Sequence, residues 1–351
     1  MGGYREDLIG RSILKSIFEN QTDESTRSLL NKIKSAFTFL QLLLTRFRHD
    51  LFSKLRRDIW RLDEAEYRES FKRDREGGTK AKLIPVGDLG YSGSTFFTTP
   101  NSKFLIKSLP RRFEHDFFRS DLLPHYYHHM SEHPDSLLVR ITDLLHAPPP
   151  QLGVLFGAAP SHHIVMENAM YGRESEPDDK AKKSWESYDL KPMSYFYPER
   201  DIMDGKLAPD SVKDKLADSF EDKIRVTNAQ AKELKVQLEI DTQQLADSNA
   251  VDYSLFLVRF PASSKPENTS ARQSPWREGV TDRNGEWKYR AVLLDFFWAK
   301  HKTRAKAMTG LVGSFQWLRG QKDEPMSITT KPGEYRERFL KMVDEMIEAQ
   351  D

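Results

Sequence analysis

The chain has 351 residues, with 54 Lys and Arg against 53 Asp and Glu, and no cysteine. A near-neutral balance gives no global pull toward nucleic acid, so any basic surface has to be local. The missing cysteines exclude disulfides, thiolate metal centres and cysteine nucleophiles, and they fit a reducing compartment. With 38% hydrophobic and 30% charged residues, the chain suits a soluble globular protein of one large domain or two modest ones.

The opening MGGYREDLIGRS has no basic stretch followed by an apolar signal core. Asp7 stands where a myristoylation signal wants Ser or Thr close by. Apolar runs such as Phe39 to Leu44 are too short to span a bilayer, so any membrane contact should be peripheral. Leu30, Ile33, Phe37, Leu40, Leu44, Phe47 and Leu51 recur at steps of three and four, which predicts an amphipathic helix in an N-terminal extension over 1–50. Phe39, Leu42 and Leu43 beside that seam favour burial against the domain. Dimerisation through it, giving a homodimer, is the sharper alternative.

The polar stretch Arg73 to Lys82, with a Gly-Gly pair, reads as a linker. STFFTT, a turn at Pro100-Asn101-Ser102 and KFLIKSL then predict two short paired strands. Helix is expected from Phe113 to about His129. HHIVMEN reads as a strand, and Gly172 to Ser184 as a charged surface loop. A long helix spans about Ala229 to Ser248. Ala262 to Arg283 is polar and Pro-rich and reads as a mobile insert. Asn284-Gly285 is the turn into the apolar strand WKYRAVLLDFF, and Tyr335, Phe339, Met342 and Met346 mark a closing amphipathic helix.

Three features carry chemistry. Gly90-Tyr91-Ser92-Gly93-Ser94 precedes a strand, and glycines there let backbone amides approach a phosphate; an ordinary hairpin is the bland reading. Lys107 shares one face of its strand with Leu105 and Leu109, where an ammonium is costly unless an anion meets it; an edge lysine snorkelling to water is the alternative. Asp252 in NAVDYSLFLV and Asp295 after AVLL are two carboxylates at the mouths of apolar strands. They suit cation binding and placement of an acceptor hydroxyl, although each alone could be a helix cap. The order of loop, Lys, Asp and Asp is that of the kinase fold.

At these residues the chain resembles the phosphatidylinositol phosphate kinase family. The likeness runs from about Phe52 to the C-terminus. It passes through FSKLRRDIWRLDEAEYRESF, SGSTFFTT, KFLIK, LLPHYY, HHIVMEN, YDLK, VDYSLFLV and EYRERF. The resemblance implies a two-lobed kinase-like α+β fold of the SAICAR-synthase-like kind, with a catalytic domain over 51–351. An antiparallel N-lobe sheet would fall in about 51–170 and a mixed C-lobe in about 171–351. It implies ATP and Mg2+ as cofactors. Gly90, Ser92, Gly93 and Ser94 would cover ATP, Lys107 would contact its phosphates, and Met166, Glu167 and Asn168 would form the hinge beside adenine. Lys191 would lie near the phosphates, Asp252 would be the catalytic-loop acid, and Asp295 would hold magnesium. One departure stands out: Lys191 is followed by Pro192 and Met193 where the family reads Gly-Ser, and proline removes an N–H donor.

After Asp295 comes FFWAKHKTRAKAMTGLV, matching the family's specificity loop. It interleaves Phe296, Phe297 and Trp298 with Lys300, Lys302, Arg304 and Lys306, and basic and aromatic side chains favour an anionic membrane surface; a solvated basic stretch beside core aromatics is the alternative. These features imply a phosphoinositide lipid substrate, no nucleic-acid partner, and a cytoplasmic protein peripheral at the cytosolic face of membranes. Ala305, where family members acting on the 4-phosphate lipid carry an acid, tilts away from that substrate. The phosphatidylinositol-4-phosphate 5-kinase reaction is still taken as the expectation because it is the commoner activity. A 5-phosphate 4-kinase, a soluble inositol phosphate kinase and an inactive phosphoinositide-binding scaffold are the alternatives. His125, His128, His129 and His133 include i,i+4 pairs but no second ligand set, so a zinc site is discounted.

Overall fold

The computed structural model describes residues 2–18, 42–72, 82–86, 94–148, 159–192, 195, 202–203, 206–207, 220–264, 274–300, 327 and 330–350. The chain divides into two compact units. The first takes in Met1–Arg112, Arg140–Tyr171 and Thr269–Ala271; the second takes in Phe113–Val139, Gly172–Asn268 and Arg272–Asp351.

In the first unit, α1 (Gly2–Phe18) is followed by β1 (Thr45–Phe47), α2 (His49–Lys54) and α3 (Glu64–Glu69). Next come β2 (Ile84–Val86), β3 (Phe96–Thr98), β4 (Phe104–Ser108), β5 (Ile141–His146) and β6 (His162–Glu167). The six strands form one antiparallel sheet in the order β1-β5-β6-β4-β3-β2. Ile9, Ile13, Leu14 and Ile17 lie on one stripe of α1 at helical spacing and are buried in the same core as Phe97, Phe104, Ile106, Leu145 and Val165 from one sheet face. That helix lies inside the N-terminal extension over 1–50, ahead of the seam read from Leu30, and its spacing of four between isoleucines was there to be read.

The helical seam expected through Leu51 does not hold over its last part. Residues 42–44 belong to neither helix nor strand, and β1 pairs with β5, Thr45 opposite His146 and Phe47 opposite Leu144. Arg48 then takes φ 46°, so α2 is a separate start. The pull is tertiary: Arg46 reaches across to the buried Asp143 on β5. Leu30, Ile33, Phe37 and Leu40 lie outside the described residues, as does the linker over 73–81.

In the second unit, α4 (Arg112–Phe117), a π-helical turn (Phe118–Leu122) and α5 (Leu123–Glu132) make the expected helical stretch. They are followed by α6 (Asp179–Lys183), β7 (Glu186–Leu190), β8 (Ile202–Met203), β9 (Lys206–Leu207), β10 (Ile224–Thr227) and α7 (Asn228–Asp247). The rest comprises β11 (Ala250–Val251), β12 (Ser254–Pro261), α8 (Pro275–Glu278), β13 (Val280–Thr281), β14 (Trp287–Leu294), β15 (Trp298–Ala299), α9 (Pro332–Met346) and β16 (Ile347–Gln350). One antiparallel sheet runs β13-β14-β12-β7, while β10 and β16 pair in parallel, so the unit is mixed. A capping box starts α7: Thr227 accepts from the Gln230 amide, and the Gln230 side chain accepts from the Thr227 amide.

Three expectations need correction here. The surface loop from Gly172 to Ser184 contains a 3-10 turn at Arg173–Ser175 and the helix α6, capped by Asp178 accepting from the Ala181 amide at 2.8 Å. The polar insert from Ala262 to Arg283 is built into the fold at its second half, because Trp276 is fully buried and donates to the Gln230 carbonyl. Gly279 ends α8 at φ 128°, where a Cβ would come within 2.8 Å of the Phe260 ring. On α9 the buried stripe is Tyr335, Phe339, Val343 and Met346, with Val343 in the place expected for Met342.

Candidate active site

Asp252 and Asp295 are brought together by strand register. β12 and β14 pair from Pro261 opposite Trp287 down to Ser254 opposite Leu294. Pairing resumes as β11 with β15, Val251 opposite Trp298 and Ala250 opposite Ala299. Between the two ladders the strands part, leaving Asp252-Tyr253 on one side and Asp295-Phe296-Phe297 on the other. Both aspartates are left-handed, with φ 67° and 60°. For a residue with a Cβ that conformation costs on the order of 1–2 kcal/mol, and a short polar side chain tolerates it best.

Packing holds both turns. Tyr253 lies against Tyr335 and Phe339, with ring centroids 4.8 and 5.1 Å away, and the Tyr335 hydroxyl donates to the Tyr253 carbonyl at 2.6 Å. On the other strand Phe296 stacks on Tyr126, Phe297 meets Phe118 edge-on at 5.4 Å, and Trp298 lies 4.4 Å from Phe113. All three of these aromatics are buried. They anchor the turn, which corrects the expectation that they face a membrane.

Lys191 joins the same end of the sheet because β7 stops at Leu190, opposite Leu255. Its Nζ is 3.3 Å from Oδ2 of Asp252. Asp252 is only 2% exposed, and its Oδ1 is buried without a hydrogen-bond partner among the described residues. A half-satisfied buried carboxylate beside one ammonium has room for a further hydrogen-bond donor or a cation. Oxygen donors of this kind suit Mg2+, which needs only one or two carboxylates when phosphates complete its shell. No group of three or more His, Asp and Glu able to hold a metal occurs among the described residues, so a metal caged by protein side chains alone is not what they provide. Of the discounted histidines, His129 is buried and bonds Asp241 at 2.7 Å, while His128 is exposed, 3.2 Å from Glu132.

In the first unit, Lys107 sits on β4 between Phe96 and Ile164 of the neighbouring strands, on the sheet face opposite Phe104 and Ile106. It is 8% exposed, with Nζ 5.7 Å from the centre of the Phe96 ring. Ser94 is buried just ahead of β3, whereas Gly90, Ser92 and Gly93 lie outside the described residues. Met166 and Glu167 end β6. Glu167 accepts from the Arg140 amide at 2.9 Å, and Asn168 donates its side-chain amide to the Ser102 carbonyl at 2.8 Å. The expected hinge residues therefore brace the end of the sheet with their own side chains. Lys300 is partly buried and its amide donates to the Asn249 carbonyl; Lys302, Arg304 and Lys306 lie outside the described residues.

Sequence reasoning missed the Tyr335 brace, the buried Arg277 and the buried Asp241. Only Tyr335 had a local signal, as the first aromatic of the α9 stripe.

A unit built on a six-stranded antiparallel sheet, together with a mixed unit that carries two strained aspartate turns at one sheet end, is a kinase-like α+β fold. The family model described as phosphatidylinositol-4-phosphate 5-kinase matches residues 78–283. The chain belongs to this family, whose kinases use ATP. The matched span holds Lys107, Lys191 and Asp252 and stops short of Asp295. A Dictyostelium discoideum protein called a probable phosphatidylinositol phosphate kinase is 27% identical over 220 residues, 62% of this chain and 28% of that protein. A Plasmodium falciparum phosphatidylinositol 4-phosphate 5-kinase is 29% identical over 191 residues, 54% of this chain and 10% of that protein. The chain thus aligns with less than a third of either relative.

Proposed function

We propose that this protein transfers the γ-phosphate of ATP to an inositol-ring hydroxyl of a phosphatidylinositol monophosphate, with the 4-phosphate lipid and its 5-hydroxyl as the working assignment. The observation that carries the reading is the pair of left-handed aspartates, Asp252 and Asp295, at one end of the β12–β14 hairpin with Lys191 against the first. In this reading Asp252 orients the acceptor hydroxyl and takes its proton on the unpartnered Oδ1 as the new O–P bond forms and the bond to ADP breaks. Lys191, 3.3 Å from that carboxylate, steadies charge on the phosphates, and Lys107 contacts phosphate oxygens. Magnesium, when bound, neutralises charge on the β- and γ-phosphates. Asp295, with its backbone fixed by three buried aromatics, supplies the carboxylate for it. The rate gain comes chiefly from positioning and charge neutralisation.

Lys300, Lys302, Arg304 and Lys306 would approach anionic lipid from the cytosolic face, each worth about 1 kcal/mol near the surface. No described helix is long and apolar enough to cross a membrane. The test is incubation with radiolabelled ATP, Mg2+ and vesicles holding each phosphatidylinositol monophosphate in turn, followed by head-group analysis. Product from the wild type and a loss of at least about 1,000-fold in Asp295→Asn are expected, as for loss of a metal-positioning carboxylate. An Asp295→Asn variant as active as wild type would refute the metal assignment.

Pro192 favours one competing reading, a phosphoinositide-binding scaffold without turnover, because proline after Lys191 removes a backbone donor. Magnesium-dependent nucleotide binding with no lipid product from any of the three monophosphates would select it.

A further inference from the structure

Asp241 lies in the second half of α7, fully buried, and its carboxylate accepts four hydrogen bonds. His129 Nε2 and Ser136 Oγ donate to Oδ1 at 2.7 Å each, Gln237 Nε2 donates to Oδ1 at 3.1 Å, and the Leu137 amide donates to Oδ2 at 2.6 Å. Only Gln237 is a neighbour on its own helix. The other three come from α5 and from the segment 136–139, more than a hundred residues away in sequence.

Segment 136–139 has no helix and only a single parallel bridge, Leu138 to Leu293, yet each of its backbone polar groups is satisfied. The Ser136 amide donates to the His133 carbonyl, and the Leu138 amide donates to the Ser136 hydroxyl. Arg277, buried on α8, donates to the carbonyls of Ser136 and Leu138. The Tyr126 hydroxyl donates to the Val139 carbonyl at 2.9 Å. What remains on the segment grips β14: the Leu293 amide donates to the Leu137 carbonyl at 2.7 Å, and the Val139 amide donates to the Leu293 carbonyl at 3.0 Å. Leu293 is two residues ahead of Asp295.

We propose that Asp241 is a positioning residue for Asp295, acting through segment 136–139 and its two hydrogen bonds to Leu293. The two peptide groups that flank Leu137 join the buried carboxylate to the end of β14, since the Leu137 N–H goes to Asp241 and the Leu137 C=O receives the Leu293 amide. On its other edge β14 is held by β12 only as far as Leu294 opposite Ser254, beyond which the ladder opens. The last residues before the Asp295 turn are therefore fixed from one side by the hairpin and from the other by the segment that Asp241 holds. Removing the negative charge leaves the His129, Ser136, Gln237 and Leu137 donors in competition for a weaker acceptor in a dry site.

The role assigned to Asp295 rests on the kinase reading; the coupling of Asp241 to the end of β14 does not. The test compares full-length wild type with Asp241→Asn by hydrogen–deuterium exchange and by lipid phosphorylation on phosphatidylinositol-4-phosphate vesicles across a magnesium titration. In the variant, exchange at the Leu137, Val139 and Leu293 amides should rise about tenfold or more, the size expected for a lost charged acceptor. Amides of the β7–β12 ladder should keep their wild-type rates. The kcat should fall on the order of 10- to 100-fold and half-saturating magnesium should rise, with the KM for lipid unchanged, as misplacement of one group implies. A uniform rise in exchange across the unit would reduce Asp241 to a general stabiliser. A local rise with unaltered kcat and magnesium dependence would also overturn the proposal. If Asp241→Asn does not fold, Ser136→Ala, which removes one donor, decides by the same pattern at smaller size. A wild type without lipid product refutes the kinase reading, and the exchange pattern then still judges the coupling.

Discussion

Asp143 on β5 and Asp252 beside β12 are both buried carboxylates, one in each unit, and their surroundings differ in kind. Asp143 is saturated. Arg46 donates to both of its oxygens at 3.1 and 2.7 Å, the Tyr67 hydroxyl donates at 2.7 Å, and Arg56 lies 3.2 Å away while also binding Glu64 and the Thr142 carbonyl. Burial alone would push its carboxyl up, but Arg56 and Arg46 outweigh that and hold it below the ordinary range. Among the described residues, Asp252 has one ammonium, an unpartnered oxygen and a left-handed backbone. A closed ionic network leaves nothing for a substrate to complete, whereas an open, strained one does. The contrast separates a carboxylate that holds the fold from one available for chemistry.

The sharpest way to break that contrast is at Asp143. Asp143→Asn leaves Arg46 and Arg56 with only the half-exposed Glu64 as an ionic partner and should cost about 3–5 kcal/mol, read as a shift in urea midpoint. Because its folded pKa is depressed, the contribution of Asp143 is complete above the unfolded value near 4 and is lost as pH falls through the folded one. A variant as stable as wild type at pH 7 would mean that the network is not what holds this part of the sheet.

His163 gives a smaller effect in the same unit. Its ring is buried with neither nitrogen bonded among the described residues, and burial pulls its pKa down to about 3. The unfolded chain then binds the proton more readily, so stability should fall as pH drops below about 6.5, by about 2 kcal/mol at pH 5. Unfolding of His163→Leu at pH 7 and pH 5 should show a correspondingly flatter dependence; an unchanged slope would count against this assignment. The smallest effect should be at Asp252. Asp252→Gly removes activity but relieves the left-handed turn, for a gain of about 1 kcal/mol. A loss of stability as large as that of Asp143→Asn would erase the distinction between the two carboxylates.

Legibility in the sequence followed the range of the interactions. The β3–β4 hairpin, β6, α7, β14 and α9 have alternation, helical spacing or turn residues within their own segments, and they appear where expected. The sheet face of Lys107 could be counted from Phe104 onward by the period of two. By contrast, β1 is three residues long and is set by a partner a hundred residues away, so the apolar spacing that runs into it pointed to a helix. Trp276 and Arg277 sit in a polar, proline-rich stretch whose composition hides their burial. Asp241 is one acidic residue among several on α7, and nothing nearby marks the distant donors that converge on it. At the candidate site, the identities of Asp252, Asp295 and Lys191 were readable, but the left-handed backbone and the opening between ladders that present them were not.

The parallel pairing of β10 with β16 has a consequence for biosynthesis. A ribosome that has released the chain only as far as Asp295 has delivered both aspartate turns, but neither the strand that lies beside Ile224–Thr227 nor the Tyr335 hydroxyl that clasps Tyr253. Contacts that span more than a hundred residues form late. The second unit should therefore stay unfinished, and open to chaperones and proteases, until α9 and β16 have emerged.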